Sequence, residues 1–337
     1  MLLEEPEAQG RLLHRELKAR PPAADHGGGN ACHREDRGLA LADQAVPDDR
    51  RPVHPGRDHP HLLHGICGSA ATHRQYWGIA EPRPESLANR LLAARASGEP
   101  IELLTETEAF GEELAYAVQD LVVQGLCAGG KDSRVGYKIA MTSPETMALA
   151  NAREPAYGVL TRSMVLASPA IIALSDLYQP RLEAELVFLI DADLPPAAGP
   201  DEIVRAARVA AGLEIPSARY RDWFGRMPIP DLVSDDTAAG RLVVAGGAVP
   251  ADGLALDRIE MRLRHEGREV QHGLSSVVLG SPILAVAWLT RALAARGRSL
   301  RAGELVSSGT FGLPLPAASG RWEAGFSGIG SASAVFR

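Results

Sequence analysis

The hydrophobic pattern divides the chain near residue 80. From residue 85 onward, apolar residues recur at helix or strand spacing, whereas residues 1–80 have almost no apolar periodicity and hold eight of the ten histidines. Arginine, proline and glycine crowd that first segment, which buries too little apolar surface to offset its ordering entropy. We predict that residues 1–80 are a disordered extension or a stretch that is not natural coding sequence. A histidine-rich metal site at His59, His61 and His64 is the alternative.

Two helices are predicted first, and mostly strands after them. Predicted helices begin where helical apolar spacing starts, in several cases at a cap residue or proline. They are Glu85–Ser97, Glu108–Cys127, Ser143 to about Ala152, a helix from Pro200 onward, and Gly280-Ser281-Pro282 onward to Gly297. The helix from Pro200 is predicted to have Ala206, Ala207 and Ala210 on its apolar face. Predicted strands are Arg134–Thr142, Ile171–Ala173, part of Leu177–Asp191, Val209–Ile215, Arg241–Ala245, Leu256–Arg264 with a hairpin partner, Leu305–Ser308, Trp322–Phe326 and Ser331–Phe336.

The strand within Gln179–Ile190 carries two acidic residues on one face. Because successive strand side chains alternate, Glu183 and Glu185 point the same way and the apolar residues between them point into the core. Neighbouring carboxylates repel each other, and either a solvated face or a divalent metal relieves that repulsion. A third acid, Glu214, sits at an apolar strand position, where burial is costly unless the acid is paired or binds metal.

Composition narrows the class of protein. The net charge is −7 and the well-patterned part has no basic stripe, which argues against a nucleic-acid partner. No apolar run approaching about 20 residues is evident, and no secretory signal begins the chain, so we expect neither a membrane partner nor export. Cys32, Cys67 and Cys127 are widely spaced and indicate neither a disulfide framework nor zinc, so a cytoplasmic location is expected.

The three glutamates predict a specific chemistry. Hard carboxylate oxygens favour Mg²⁺ or Mn²⁺, and three protein ligands leave positions for the carboxylate and 2-oxygen of a 2-oxo acid. The ion then stabilises an enolate as a Lewis acid. Lys138, in mid-strand, either lies on a solvated face or shuttles the proton. The Pro- and Gly-rich loop Asp222–Asp231 is a candidate cover for the site.

Several short motifs occur in order along the chain: Val135–Ile139, Pro155–Gly158, Gln179–Glu185, Leu213–Ile215, Asp235 in a polar turn, Gly280–Pro282 and Ser308–Thr310. Together they resemble the 2-oxopent-4-enoate (2-hydroxypenta-2,4-dienoate) hydratases and 4-oxalocrotonate decarboxylases of the fumarylacetoacetate hydrolase superfamily. The resemblance covers about residues 85–337, and Pro-Arg-x-Glu-Ala-Glu with a third glutamate about 30 residues on is specific to the superfamily.

The resemblance implies an α+β fold, with a mixed β-roll core at residues 153–337 after a helical part with the first core strand at residues 81–152. It implies homo-oligomers and a complex with a sister decarboxylase or hydratase. It also assigns roles to residues: Lys138 as the acid–base group, Glu183, Glu185 and Glu214 as ligands of Mg²⁺ or Mn²⁺, and Asp235, Ser308 and Thr310 as substrate-binding residues.

The implied reaction is hydration of a 2-hydroxy-2,4-dienoate to a 4-hydroxy-2-oxo acid in aromatic meta-cleavage catabolism. Two positions depart from the family pattern: Ala156 stands where an Asp assigned to proton transfer or water positioning is common, and Asp236 stands for the usual Asn. Decarboxylation of a 4-oxalocrotonate-type acid therefore stays open, as do acylpyruvate C–C hydrolysis and a non-catalytic partner subunit.

Overall fold

The described part of the computed structural model, residues 82–337, contains six α-helices and fourteen strands. The predictions for residues 1–80 lie outside it. The helices are α1 Pro84–Ser97, α2 Glu112–Cys127, α3 Pro144–Leu149, α4 Pro200–Arg205, α5 Ile229–Ser234 and α6 Pro282–Ala294. The strands are β1 Arg134–Ala140, β2 Ala156–Thr161, β3 Val165–Ala167, β4 Ala170–Ile172, β5 Arg181–Ile190, β6 Ala207–Ile215, β7 Arg241–Val244, β8 Val249–Pro250, β9 Glu260–His265, β10 Arg268–Leu274, β11 Leu305–Thr310, β12 Leu315–Pro316, β13 Gly320–Phe326 and β14 Gly330–Phe336.

The strands form two mixed sheets. The larger sheet has the order β2-β1-β11-β5-β6-β7-β3, with β12 paired to β5 and β8 paired to β6. The smaller has the order β10-β9-β13-β14-β4. Most pairs are antiparallel, but β1–β11, β3–β7 and β4–β14 are parallel. Strands β1, β5 and β6, which carry Lys138 and the three glutamates, are close together in the larger sheet, with β11 between β1 and β5.

Local sequence explains where several helices begin and end. Helix α1 has proline at its first position and ends at Gly98, whose φ of 74° is the left-handed conformation that glycine adopts at little cost. Helix α3 is closed at its N-terminus by a capping box, in which Ser143 and Thr146 bond to each other's backbone N–H groups. The predicted starts of these helices are confirmed.

Several predicted element boundaries are wrong. The helix predicted from Glu108 begins at Glu112, and the strand predicted from Leu256 begins at Glu260, after a turn. The helix from Pro200 ends at Arg205, and Ala207 and Ala210 lie in strand β6 instead. Strand β6 pairs with both β5 and β7, so sheet hydrogen bonding overrides the helical preference of alanine. The loop predicted over Asp222–Asp231 ends in a helix, because α5 begins at Ile229.

One core serves both sheets, and a second lies beneath the N-terminal helices. The first contains Leu182, Ala184 and Leu186 of β5, all fully buried, together with residues of β9, β13 and β14. The second joins α1 and α2 to Trp223 and Met227 of the loop before α5. By length and composition alone, Ser275–Ala294 is long and apolar enough to cross a membrane. More than half of that stretch is buried, as in a core helix of a soluble protein.

Candidate metal and catalytic site

The three glutamates converge in the larger sheet. On β5, strand alternation directs Glu183 and Glu185 away from the core that receives Leu182 and Ala184. On the neighbouring strand, Glu214 lies directly opposite Glu183 in the antiparallel register. One carboxylate oxygen from each of the three lies within 4.8 Å of the others, and all three side chains are buried.

Strand β11 fixes the orientation of Glu185. The Ser307 hydroxyl donates to Glu185 Oε2 at 2.6 Å, and the Gly309 backbone N–H donates to the same oxygen at 2.9 Å. Gly309 has φ 110°, and a Cβ there would lie 2.2 Å from Thr142 Oγ1. A glycine is therefore required where the chain bends to present its N–H. Sequence reasoning missed Ser307, although it lies next to the quoted Ser308–Thr310 motif.

Lys138 enters the cluster from β1. Its ammonium forms an ion pair with Glu214 Oε1 and donates to the Thr237 carbonyl at 3.0 Å. Burial alone would lower the pKa of Lys138, but the carboxylates of Glu214 and Glu183 outweigh it and hold the pKa above its usual value. The side chain is only 3% exposed, so the solvated-face alternative is wrong.

Without further positive charge, the buried carboxylates repel one another. Burial, reinforced by the nearby charge of Glu214, raises the pKa of Glu183 to about 8. Burial and the same neighbour also raise the pKa of Glu185. Against three carboxylates the cluster offers one ammonium, and Glu214 Oε2 accepts no hydrogen bond from any described residue.

This donor set fits a divalent cation. Three carboxylates and one lysine leave two net negative charges when all are ionised, and buried charge of that size requires a counter-ion. All three donors are hard oxygens, which suit Mg²⁺, Mn²⁺ or Ca²⁺ better than softer ions. Glu214 has a carboxylate oxygen without a hydrogen-bond partner among the described residues, and it belongs to a cluster in which one oxygen of each glutamate lies within 4.8 Å of the others, which suits a shared metal ion.

A turn with unusual backbone geometry holds the lysine. Asp236, Thr237 and Ala238 all have positive φ, between 49° and 58°. The Val159 N–H donates to Asp236 Oδ1 at 2.7 Å, and Gly158 leaves room for the turn, since a Cβ there would lie 2.3 Å from Thr237 Oγ1. Burial raises the pKa of Asp236 to about 7. The Thr237 carbonyl has no side-chain signature, so sequence reasoning could not find it.

A cavity opens beside the cluster. Lys138, Glu183, Glu185 and Thr310 line it, and its volume is about 60 Å³. Trp223 and other residues of the loop before α5 form part of its wall, so the loop predicted as a candidate cover lies at the cavity.

The other predicted substrate-binding residues lie nearby but do not line this cavity. Both carboxylate oxygens of Asp235 bind Arg219, through its guanidinium and its backbone N–H. Ser308 is fully buried, and its hydroxyl has no partner among the described residues. Ala156 packs in the first core opposite Ala140 of β1, so the position that carries Asp in the family pattern is apolar here. Their roles toward substrate stay predictions.

Comparison with known proteins identifies the family. The fumarylacetoacetate (FAA) hydrolase C-terminal family matches residues 138–335, and this chain belongs to the fumarylacetoacetate hydrolase family. It is 32% identical over 257 residues to 2-keto-4-pentenoate hydratase 2 of Dechloromonas aromatica, covering 75% of this chain and 97% of the relative. It is 33% identical to the TodF product hydratase of Pseudomonas putida F1, covering 74% and 93%.

A solved structure shares the whole fold. The 4-oxalocrotonate decarboxylase from Pseudomonas putida G7, complexed with magnesium and adipate, superimposes with a TM-score of 0.71 at 25% identity. The match covers 77% of this chain and 100% of the decarboxylase. The same decarboxylase complexed with calcium and acetate gives a TM-score of 0.69. The family resemblance and the α+β fold with a helical N-terminal part are confirmed.

Proposed function

We propose that this protein is a hydro-lyase that adds water to a 2-hydroxy-2,4-dienoate to give a 4-hydroxy-2-oxo acid, in meta-cleavage catabolism of aromatic compounds. The observation that carries the proposal is the buried Lys138–Glu214 pair, set beside two further carboxylates at a small-molecule cavity. It joins a proton carrier to a candidate cation site, as enolate chemistry requires. Relatives that align over 93–97% of their length and bear hydratase names support the reaction.

The ligands in this proposal are Glu183, Glu185 and Glu214, and the ion is Mg²⁺ or Mn²⁺. When bound, the ion supplies Lewis-acid stabilisation of negative charge on the substrate's carboxylate and 2-oxygen. The related decarboxylase is complexed with magnesium in one structure and with calcium in another, which supports a hard divalent ion. Ser307 and Gly309 hold Glu185 in place for that role.

Lys138 moves the protons. In the first step the 2-hydroxyl loses a proton and C5 gains one, which converts the dienol into a 2-oxo-3-enoate. In the second, the hydroxyl of a water bonds to C4 and a proton is added at C3. Lys138 lines the cavity. Its ammonium can donate a proton to carbon, and the neutral amine that results can accept the next proton. The pKa of Lys138 would fall if the same carboxylates held a divalent cation, because the cation would add positive charge nearby.

Decarboxylation of a 4-oxalocrotonate-type acid is the second candidate. It uses the same enolate chemistry without an attacking water, and the apolar Ala156 in place of the family's Asp favours it. The superposition on the decarboxylase supports it as well. The acylpyruvate hydrolase alternative needs a histidine near the site. His265 instead stacks on Trp322 and binds the Ser319 carbonyl, and His272 does not line the cavity.

A direct assay separates these activities. Purified protein is incubated with Mg²⁺ or Mn²⁺ and either 2-hydroxypenta-2,4-dienoate or 4-oxalocrotonate, and the product is identified by mass. We expect 4-hydroxy-2-oxopentanoate from the dienoate. Carbon dioxide release from 4-oxalocrotonate without hydration would transfer the proposal to the decarboxylase, and no turnover with metal bound would leave the partner-subunit role. Homo-oligomers, a complex with a sister enzyme and a cytoplasmic location belong to the same proposal.

A further inference from the structure

A second cavity is lined by the ends of helices α1 and α2 and by the first residue of β7. Its volume is about 550 Å³, and it shares no lining residue with the cavity beside the glutamates. Four basic side chains contribute to its wall: Arg95, Lys131, Arg219 and Arg241. Positive charge gathered in a concave site raises the local concentration of anions.

Two of these arginines have no acidic partner among the described residues. Arg95 donates to the Ala239 carbonyl at 3.3 Å, although its place in the last turn of α1 would suit the carbonyls of its own helix. Arg241 donates to the Gly240 carbonyl at 3.0 Å. Both side chains are half-buried, and each keeps most of its five N–H donors for a ligand.

The positive charges of this cavity repel one another. Burial, together with the nearby charges of Arg219 and Arg241, lowers the pKa of Arg95 to about 10. The carboxylates of Asp235 and Asp236 act in the opposite direction but do not restore the pKa. Asp235 is itself ion-paired with Arg219. An anion bound at Arg95 and Arg241 would relieve the repulsion between them.

The three acids that line the cavity do not neutralise these two arginines. Asp132 accepts from the Ser163 hydroxyl at 2.6 Å and from the Ser133 backbone N–H at 2.8 Å. Glu99 and Asp176 are exposed, so water and salt screen their charges. The two guanidinium groups therefore stay available to an anion that enters the cavity.

We propose that this cavity binds a phosphate group, held by the guanidinium groups of Arg95 and Arg241. A guanidinium donates two parallel hydrogen bonds to phosphate oxygens, which makes arginine well suited to this anion. The exposed ammonium of Lys131 adds attraction for the incoming ligand. The cavity also has room for the organic part of a phosphate monoester. The inference does not depend on the proposed function, since no glutamate of the cluster takes part.

Calorimetric titration of the full-length protein with Mg²⁺, at neutral pH and low ionic strength, tests the proposal. The two probes are inorganic phosphate and glycerol 3-phosphate. We expect saturable one-to-one binding with a Kd of about 1 mM or below. Tighter binding of the ester would identify an organic phosphate as the ligand, and equal binding would identify free phosphate, and both results support the site. Absence of saturable binding for both probes would overturn it.

Variants of the two arginines locate the bound anion. Arg95→Met and Arg241→Met should each weaken phosphate binding at least about tenfold, because charge-assisted hydrogen bonds are lost. Arg291→Met is the matched control, since Arg291 is an exposed arginine in the last turn of α6 that does not line this cavity. Its phosphate affinity should stay within twofold. Circular dichroism checks that each variant folds, and unchanged affinity in both folded methionine variants would overturn the proposal.

A further variant separates this cavity from the glutamate cluster, where phosphate could bind to Mg²⁺. Glu185→Gln removes a proposed metal ligand and should leave phosphate affinity within twofold of the unaltered protein. Loss of phosphate binding in this variant, with retention in the arginine variants, would place the anion on the metal and overturn the inference. A failed hydration assay would overturn the proposed function and leave the phosphate site standing.

Discussion

Glu183 and Glu214 occupy directly opposed positions in the β5–β6 register, so two like charges face each other across adjacent strands in a buried site. Opposed like charges destabilise a sheet even at its surface. Lys138 forms an ion pair with Glu214, and the remaining negative charge of the carboxylates has no positive partner within the described part of the protein. The arrangement costs folding free energy and creates affinity for a cation.

Glu185→Gln should reduce metal affinity more than about a hundredfold, because loss of an outer partner alone typically costs 10–100-fold. The amide keeps the size of the side chain, so the fold should persist. Calorimetric titration with Mn²⁺ measures the affinity, and circular dichroism checks the fold. Glu145→Gln, at an exposed position on α3, is the control. Unchanged Mn²⁺ affinity in the Glu185 variant would contradict the ligand assignment.

The metal-free protein should become less stable as pH rises from about 4.5 to about 8. The pKa of Glu183 is raised from its ordinary value of 4.5 to about 8, so the folded state holds a proton that the unfolded state has lost. Stability therefore falls with pH across that window, by at most about 1.4 kcal/mol per pH unit for this group.

Urea unfolding in EDTA at several pH values measures this slope. Glu183→Gln should reduce it but not remove it, because burial also raises the pKa of Glu185, of Glu214 and of Asp236, which therefore continue to contribute. Saturating Mg²⁺ should remove most of the slope, because the ion replaces the proton and stabilises the folded state at higher pH. A stability that rises with pH in EDTA would show that the carboxylates are compensated by another group.

Lys138→Met should lower kcat by about 10²–10⁴-fold, the usual contribution of a positioned acid–base group. Metal affinity should survive, because the ligand carboxylates remain and one competing positive charge is removed. The substrate-analogue 2-oxobutanoate should still bind. Steady-state rates together with deuterium incorporation at C3 and C5 provide the measurement. Retention of full activity would remove Lys138 from the mechanism.

Gly158→Ala tests the left-handed turn. The new Cβ would lie 2.3 Å from Thr237 Oγ1 and 2.5 Å from the Asp236 carbonyl, so the turn must move. We expect a loss of about 1–3 kcal/mol in stability, as for other overpacked sites, and a fall in kcat greater than the change in KM. Gly246→Ala, where a Cβ meets nothing within 4 Å, should leave both unchanged.

Removing residues 1–80 should leave activity and assembly within about twofold of the full chain, since the composition of that segment gives it no core to contribute. The whole length of a related decarboxylase aligns with 77% of this chain, so part of this chain has no counterpart there and can be a dispensable extension. Mass measurement by light scattering and the hydration assay compare the two forms. A large loss in either would show that the segment takes part in the enzyme.

Much of the site was predictable because its signals are local. Strand alternation placed Glu183 and Glu185 on one face, and an acid among apolar residues marked Glu214. What joined them was not local: the β5–β6 register and the approach of β1 depend on the whole sheet. The motifs supplied that long-range information through the family resemblance.

The unpredicted parts depend on backbone geometry and tertiary context. The Thr237 carbonyl and the Gly309 N–H are backbone groups, and such groups occur all along the chain. No sequence pattern therefore identifies these two as the partners of Lys138 and Glu185. The alanines after Arg205 suit a helix by propensity, but pairing with β5 draws them into β6. At these alanines, hydrogen bonding within the sheet outweighs the local helix propensity.

The separation of Glu185 from its donors in the chain has a consequence for biosynthesis. Its carboxylate lies on β5, whereas Ser307 and Gly309, which bond to it, follow 122 and 124 residues later. A nascent chain that has emerged only as far as β6 has all three of the proposed ligand glutamates but not the strand that orients one of them. If these glutamates bind a cation as proposed, tight binding should begin only after β11 leaves the ribosome.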